Sequence, residues 1–203
     1  MANFKFADMA KVRDQIDAQQ RKDISNRYKQ WAGEIGERAD WYKRKTTASS
    51  PVSEQQMREL KRFLTNTSFE VGKDTKDLIV KNMMVVSDSV CKTTASWISS
   101  LGYDEKKINI AFSTVPKDTV NSLITGKVYE SGWSLSQRIW GVSQQNYKDV
   151  YSIMAKGIAE NKGIYDIAKE MEAYVKPGAK LPWNGIRKDG TKIYKRPVDY
   201  NAQ

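Results

Sequence analysis

Histidine is absent from this sequence and cysteine occurs once. The first absence removes Ser-His-Asp and Cys-His nucleophile pairs, HExxH metalloprotease helices and histidine zinc sites. The lone Cys91 excludes an intrachain disulfide and any cysteine-rich metal site, and it fits a reducing compartment. With 5 prolines and 12 glycines, the chain has too few of either for a disordered linker protein. Long apolar runs are missing as well. Charges at Lys5, Asp8, Lys11 and Arg13 interrupt any signal-peptide core. The best membrane candidate, Leu78 to Val86, is broken by Lys81 and Asn82, far short of the roughly 20 residues a span needs. Hydrophobic residues make up 39% of the chain and charged ones 29%, where about 45–50% apolar is typical of a compact domain. The balance predicts an elongated or oligomeric protein with a thin core.

What is present is positive charge, a formal +10 over 203 residues. Its excess sits at the two ends. Residues 1–50 hold 11 Lys/Arg against 7 Asp/Glu, and from Lys176 onward there are 7 basic residues against Asp189 and Asp199. A basic balance of this kind implies a polyanionic partner or simply solubility.

Helical periodicity dominates the rest. Met9, Val12, Ile16, Ile24, Tyr28, Trp31, Ile35 and Tyr42 recur on one face over residues 7–45, which predicts one long helix whose stripe lapses at Gln19-Gln20. Gly33 and Gly36 weaken its second half. A stripe this narrow suits a partner helix or subunit, so Ile16, Ile24, Tyr28, Trp31 and Ile35 are candidate partner-binding residues. After the turn-rich "TTASSPVS", Ser53-Glu54-Gln55-Gln56 reads as a capping box opening a helix to about Thr65. A further helix over 68–101, with Leu78, Met83, Val86, Val90, Trp97 and Leu101 on its face, ends at Gly102. Its second half is rich in small residues that permit close helix approach.

"INIAFSTV", Ile108 to Val115, alternates like a short strand. Pro116 opens a helix that Gly126 ends. Ser134-Leu135-Ser136-Gln137 is a second capping box, starting a helix to about Asn161. Ile164, Ile167, Met171 and Tyr174 mark another at 3-4-3 spacing. Asp189-Gly190 between Ile186 and Ile193-Tyr194 signals a hairpin. The expected fold is mainly α: a bundle of long helices with a C-terminal β-hairpin arm. The expected division is a long helix over 1–45, a helical domain over 46–177 and a basic hairpin arm over 178–203.

Motifs of catalysis are missing. Gly126-Lys127 has Asn121 where a phosphate-binding loop needs its first glycine, and no GxGxxG follows a strand. Carboxylates such as Glu54, Glu59, Glu160 and Asp166 are scattered along solvent faces. No cofactor and no enzymatic activity are expected. Trp133 and Trp140 suit either nucleobase stacking or packing. Packing is favoured, because Trp133 precedes a capped helix where a hydrophobic staple would sit. Arg138 suits a phosphate or a salt bridge. Arg187, Lys188, Lys192, Lys195 and Arg196, interleaved with Ile193 and Tyr194, are the candidate nucleic-acid contacts. A hairpin whose charges merely aid solubility fits the same composition.

The stretch "SGWSLSQRIWG", the helix pair "IMAKGIAENKGIYDIAKEMEAYVKPGA" and the ending "RPVDYNAQ" together resemble the tailed-phage minor head (head morphogenesis, Mu F-like) proteins. The positions that match are Ser134, Leu135, Ser136, Arg138, Ile139 and Trp140, then Gly163, Ile164, Ile167, Ala168 and Lys169, then Tyr200, Ala202 and Gln203. The resemblance covers about residues 131–203. Members of that family continue into an Arg-x-Ala-Arg-Thr segment and a further α/β portion that this sequence does not contain. The resemblance implies a structural protein of the virion, made in the host cytoplasm and placed in the head interior or at the portal. Its implied partners are the portal or major capsid protein and packaged double-stranded DNA, with no membrane role. One rival is a free-standing basic helical DNA-binding protein. Another is an enzyme using Asp/Glu and a divalent metal, which would need carboxylates converging in a pocket.

Overall fold

The computed structural model describes residues 6–45, 52–126, 132–177, 183–186 and 192–194, and for 6–8 and the two last segments it describes the backbone alone. The chain is mainly helical. In order come α1 (Phe6–Lys45), α2 (Glu54–Ser100), α3 (Glu105–Phe112), α4 (Val115–Thr125), α5 (Leu135–Ala159), α6 (Ile164–Val175), and short strands β1 (Trp183–Ile186) and β2 (Lys192–Tyr194). The strands pair antiparallel, Trp183 opposite Tyr194 and Ile186 opposite Lys192, with an irregularity between Trp183 and Gly185. The expected turn at Asp189-Gly190 lies outside the described residues.

Two expectations about elements are corrected. The break expected between Thr65 and Ser68 does not occur, and α2 runs through it. The hydroxyls there fold back into the helix. Thr65 Oγ1 reaches the Lys61 carbonyl at 2.9 Å, Thr67 Oγ1 the Phe63 carbonyl at 3.0 Å and Ser68 Oγ the Thr65 carbonyl at 3.1 Å. Such back-bonding costs a helix little and is tolerated within it. The strand expected over Ile108–Val115 does not form: residues 108–112 belong to α3 and Val115 opens α4. Asp104 caps α3 by accepting from the Lys107 amide at 3.1 Å, and a cap that satisfies an orphan amide outweighs a short run of alternation.

The capping boxes stand as read. Ser53 N–H donates to Gln56 Oε1 at 2.9 Å and Gln56 N–H to Ser53 Oγ at 3.2 Å. At α5 the same reciprocal pair links Ser134 and Gln137 at 2.8 and 3.2 Å.

The chain divides into two compact units that differ from the expected division at residues 45 and 177. The first is Met1–Asp23 with Asp74–Trp140, and the second is Ile24–Lys73 with Gly141–Gln203. The boundaries fall inside α1, inside α2 and inside α5. In α1 the boundary follows the polar lapse at Gln19-Gln20, where the stripe changes from medium-sized residues to Ile24, Tyr28, Trp31 and Ile35.

In the second unit that stripe is the core. Trp31 and Tyr28 are 1% exposed and Ile35 is fully covered, together with Leu60 and Leu64 of α2, Val150 and Met154 of α5, and Ile167 and Met171 of α6. Each such side chain contributes about 1.5–3 kcal/mol by leaving water. Two polar pairs go in with them. Trp31 Nε1–H donates to Thr67 Oγ1 at 2.8 Å, and Asn146 Nδ2 to the Tyr28 hydroxyl at 3.2 Å. Two glycines let the helices close up. A Cβ on Gly36 would stand 2.7 Å from the Glu172 carboxylate, and one on Gly157 would stand 2.5 Å from Ile167 Cγ1. Gly36 is thus a close-approach position as well as a weak helix former.

The first unit is thinner. Its buried apolar residues, among those described, are Ile79, Cys91, Ala95, Val120, Ile124 and Ile139. Pro116 is buried in the first turn of α4, while α3 buries nothing. Asn82 Nδ2 donates to Gln20 Oε1 at 3.1 Å, tying α2 to the start of α1.

Candidate functional site

The motif around Ser134 is a helix start. Gly132 takes φ +68, a left-handed turn that glycine adopts without strain. Ser134 follows, buried and locked in its cap. Ile139 is the residue that packs, at 3% exposure, whereas Trp133 is 55% and Trp140 41% exposed. The expectation that the two tryptophans pack is therefore corrected. A hydrophobic staple needs an apolar residue at the fourth helical position, and that position is Arg138. Arg138 and Trp140 have interaction partners.

The partner-binding assignment of the α1 stripe is corrected in its larger part. Ile24, Tyr28, Trp31 and Ile35 are buried within the chain's own second unit, because α2, α5 and α6 supply the apolar faces that a second subunit was expected to supply. Ile16 differs. It lies in the first unit and, with Met83, Val86, Val90, Val120 and Leu123, lines an open apolar groove of about 470 Å³. Large apolar side chains also stand outward elsewhere on that unit, among them Leu101 and Ile110 at 57% and 69% exposure.

Of the candidate nucleic-acid residues, Lys192 lies on β2 with only its backbone described. Arg187, Lys188, Lys195 and Arg196 lie outside the described residues. Trp183, Ile193 and Tyr194 are likewise described as backbone only.

The titratable groups whose ionisation departs from the ordinary range are all held in their usual charge state. Burial raises the Tyr42 phenol, against the opposing Arg38 guanidinium. Burial, then its hydrogen bond to Asp149 at 2.5 Å, raises Tyr174. Burial also raises the Cys91 thiol. Hydrogen bonds from Lys162 to Glu170 and Glu160 keep that ammonium charged, and Lys162 in turn lowers Glu160. Lys169 is raised by its bonds to Glu172 and Asp40. A general base or nucleophile needs a group brought near neutrality, and these shifts run the other way. Among the described residues no cluster of His, Cys, Asp or Glu is placed to hold a metal ion. No described helix is long and apolar enough to cross a membrane.

One surface of the second unit combines cations with exposed rings, and the sequence reading passed over it. The Tyr147 and Tyr151 rings, one turn apart on α5, lie 6.1 Å between centroids at 31°. The Lys61 ammonium of α2 stands 5.4 Å over the Tyr151 ring, and Thr65 Oγ1 lies 3.4 Å from the Tyr147 hydroxyl. Tyr151 is 37% exposed. Arg62 and Lys148 flank this seam, both exposed. The signal was a Tyr-x-x-x-Tyr spacing on α5, recognisable only once α2 was known to supply lysine beside it.

Comparison with family models, with curated proteins and with solved structures gives no match.

Proposed function

We propose that this chain is a structural protein of a tailed-bacteriophage head, a minor head protein at the portal or capsid interior with no catalytic role. The observation that carries the reading is the surface of the first unit, where large apolar and aromatic side chains outnumber those in its thin core. A small unit that leaves Trp97, Leu101, Tyr103, Ile110, Trp133 and Trp140 in water has the composition of a protein interface. The motif resemblance over about 131–203 supplies the partner, the portal or major capsid protein. In this reading the β1–β2 ribbon is a basic arm, and Arg187, Lys188, Lys192, Lys195 and Arg196 contact packaged duplex through its phosphates without reading sequence.

The test is co-expression with portal and major capsid proteins, followed by sedimentation of assembled particles. The double variant Leu101→Glu, Ile110→Glu is expected to stay in the soluble fraction with its helical circular-dichroism signal unchanged. Undiminished incorporation overturns the assignment of this surface. A wild-type chain that never enters particles but binds duplex DNA replaces the reading with that of a free-standing DNA-binding protein.

A further inference from the structure

The α2/α5 seam of the second unit has a composition that neither the core nor the proposed arm explains. Tyr151 is exposed and Tyr147 partly so. Lys61 covers part of one ring, Arg62 follows Lys61 on α2, and Lys148 sits three residues before Tyr151 on α5, where helical neighbours meet. Among the described residues Lys61, Arg62 and Lys148 form no ion pair, whereas some neighbouring charges of the same unit do. Arg58 pairs with Glu54 at 3.2 Å, Arg38 with Glu59 at 3.8 Å, and Lys156 with Glu160 at 3.7 Å. Another cation–ring site of this unit makes a contrast. There Lys43 and Lys169 approach the Tyr165 ring at 5.0 and 5.9 Å, but Lys169 is already bound by Glu172 at 2.9 Å and Asp40 at 3.3 Å. At the α2/α5 seam none of the three cations is so engaged among the described residues, and they lie beside one exposed and one partly exposed tyrosine.

We infer that this seam binds single-stranded nucleic acid, the cations taking phosphates and the tyrosines stacking bases. The charge selects a polyanion. The rings select one that carries flat π faces, because an acidic peptide would satisfy Lys61, Arg62 and Lys148 and leave Tyr147 and Tyr151 without work. Stacking against such a pair is tolerant of sequence, since every base has a π face. A duplex hides those faces, so single strands are preferred at this seam. The inference shares with the proposed function only the class of polymer. It requires neither the basic ribbon nor a capsid.

The experiment uses the purified full chain and fluorescence anisotropy of a labelled oligothymidine, with a duplex of equal length in parallel, over a salt series. Each phosphate contact on a single strand contributes about −0.7 to the slope of log affinity against log salt. The triple variant Lys61→Gln, Arg62→Gln, Lys148→Gln is therefore expected to flatten the oligothymidine slope by about two. Tyr151→Leu is expected to weaken oligothymidine binding about tenfold and leave the slope unchanged, and Tyr151→Trp to retain binding. Circular dichroism and denaturant unfolding run alongside. If Tyr151→Leu unfolds the chain, the Tyr151→Trp variant and the triple variant, whose three positions are exposed, still decide the matter. Wild-type affinity and slope in the triple variant overturn the inference. So does loss of polyglutamate binding in the triple variant with no change in oligothymidine binding, which assigns the seam to an acidic protein. Particle incorporation plays no part in these readings, so failure of the head-protein proposal and failure of this one are separately visible.

Discussion

The two compact units are cut from the same pair of long helices and use their apolar residues in opposite ways. In the second unit α1, α2, α5 and α6 bring complementary faces together. Even the polar atoms of Trp31, Thr67, Tyr28 and Asn146 are paired inside. In the first unit the buried set is small, while tryptophans, a leucine and an isoleucine face water. The difference is not one of hydrophobicity along α2, whose second half carries Val85, Val86, Val90, Trp97 and Ile98. It is one of neighbours. α3 has eight residues and buries none, so it cannot cover the end of α2. What decides burial is whether a facing element has the length and the stripe to complete the contact.

The largest test of this comparison is Trp31→Ala. The substitution empties a fully covered site and leaves Thr67 without the donor it holds at 2.8 Å. A cost of about 3–5 kcal/mol is expected, read by denaturant unfolding. A loss under about 1 kcal/mol would mean the second unit collapses around the hole, and the contrast in packing would then be one of appearance.

The glycines sharpen the same point at a smaller scale. Gly157→Ala drives a Cβ to 2.5 Å from Ile167 Cγ1, and overpacking of this kind costs about 1–3 kcal/mol. Gly33→Ala meets nothing within 4 Å and is expected to stabilise α1 by about 0.4–1 kcal/mol. Opposite signs from the same chemical change would show that α6 closes tightly on α5 while the solvent face of α1 has room. Equal signs would break that claim.

Local chemistry was the legible part of this fold. Both capping boxes, the Pro116 start of α4, the Gly126 end and the 3-4-3 stripe of α6 were readable because each depends on residues within one or two turns. What was not legible depends on partners distant in the chain. Whether Ile24, Tyr28, Trp31 and Ile35 face a second subunit or their own α2, α5 and α6 leaves no mark on the stripe itself. The packing assigned to Trp133 failed for a related reason, since a staple is a pair and Arg138 is not its other half. The threonines at 65 and 67 read as a break because their hydroxyls compete with the backbone in isolation, yet in α2 they bond it. The Tyr147–Tyr151 seam was invisible for want of the α2 residue that stands over it.

Caps compare the units under one chemistry. Ser53 opens α2 in the second unit and is exposed, whereas Ser134 opens α5 in the first unit and is buried. Serine caps are worth about 1 kcal/mol. Ser134→Ala is expected to cost more than Ser53→Ala, because water cannot replace the lost acceptor for the Gln137 amide at a buried site. Thermal unfolding of the two variants side by side gives the order. The reverse order would mean that the first unit is already frayed at this helix start.

The smallest effect expected is at Trp133, and it bears directly on the comparison. An indole ordinarily contributes about 3–5 kcal/mol when a core encloses it, and the first unit encloses few of its large side chains. At 55% exposure this ring gives up little contact with water on folding. Its truncation leaves no cavity, and the Ser134–Gln137 box that fixes the helix start makes no use of the indole. Trp133→Ala is therefore expected to change unfolding free energy by no more than about 0.5 kcal/mol, the range of ordinary surface substitutions. Under the proposed head-protein role, the same variant is expected to reduce capture by a portal or capsid protein, because aromatic side chains dominate interface energetics. A stability loss above about 1 kcal/mol would show packing in the first unit that exposure does not reveal. Trp133 would then join Ile139 as a fold residue, and the contrast between a closed second unit and an open first one would have to be drawn at Leu101 and Ile110 alone.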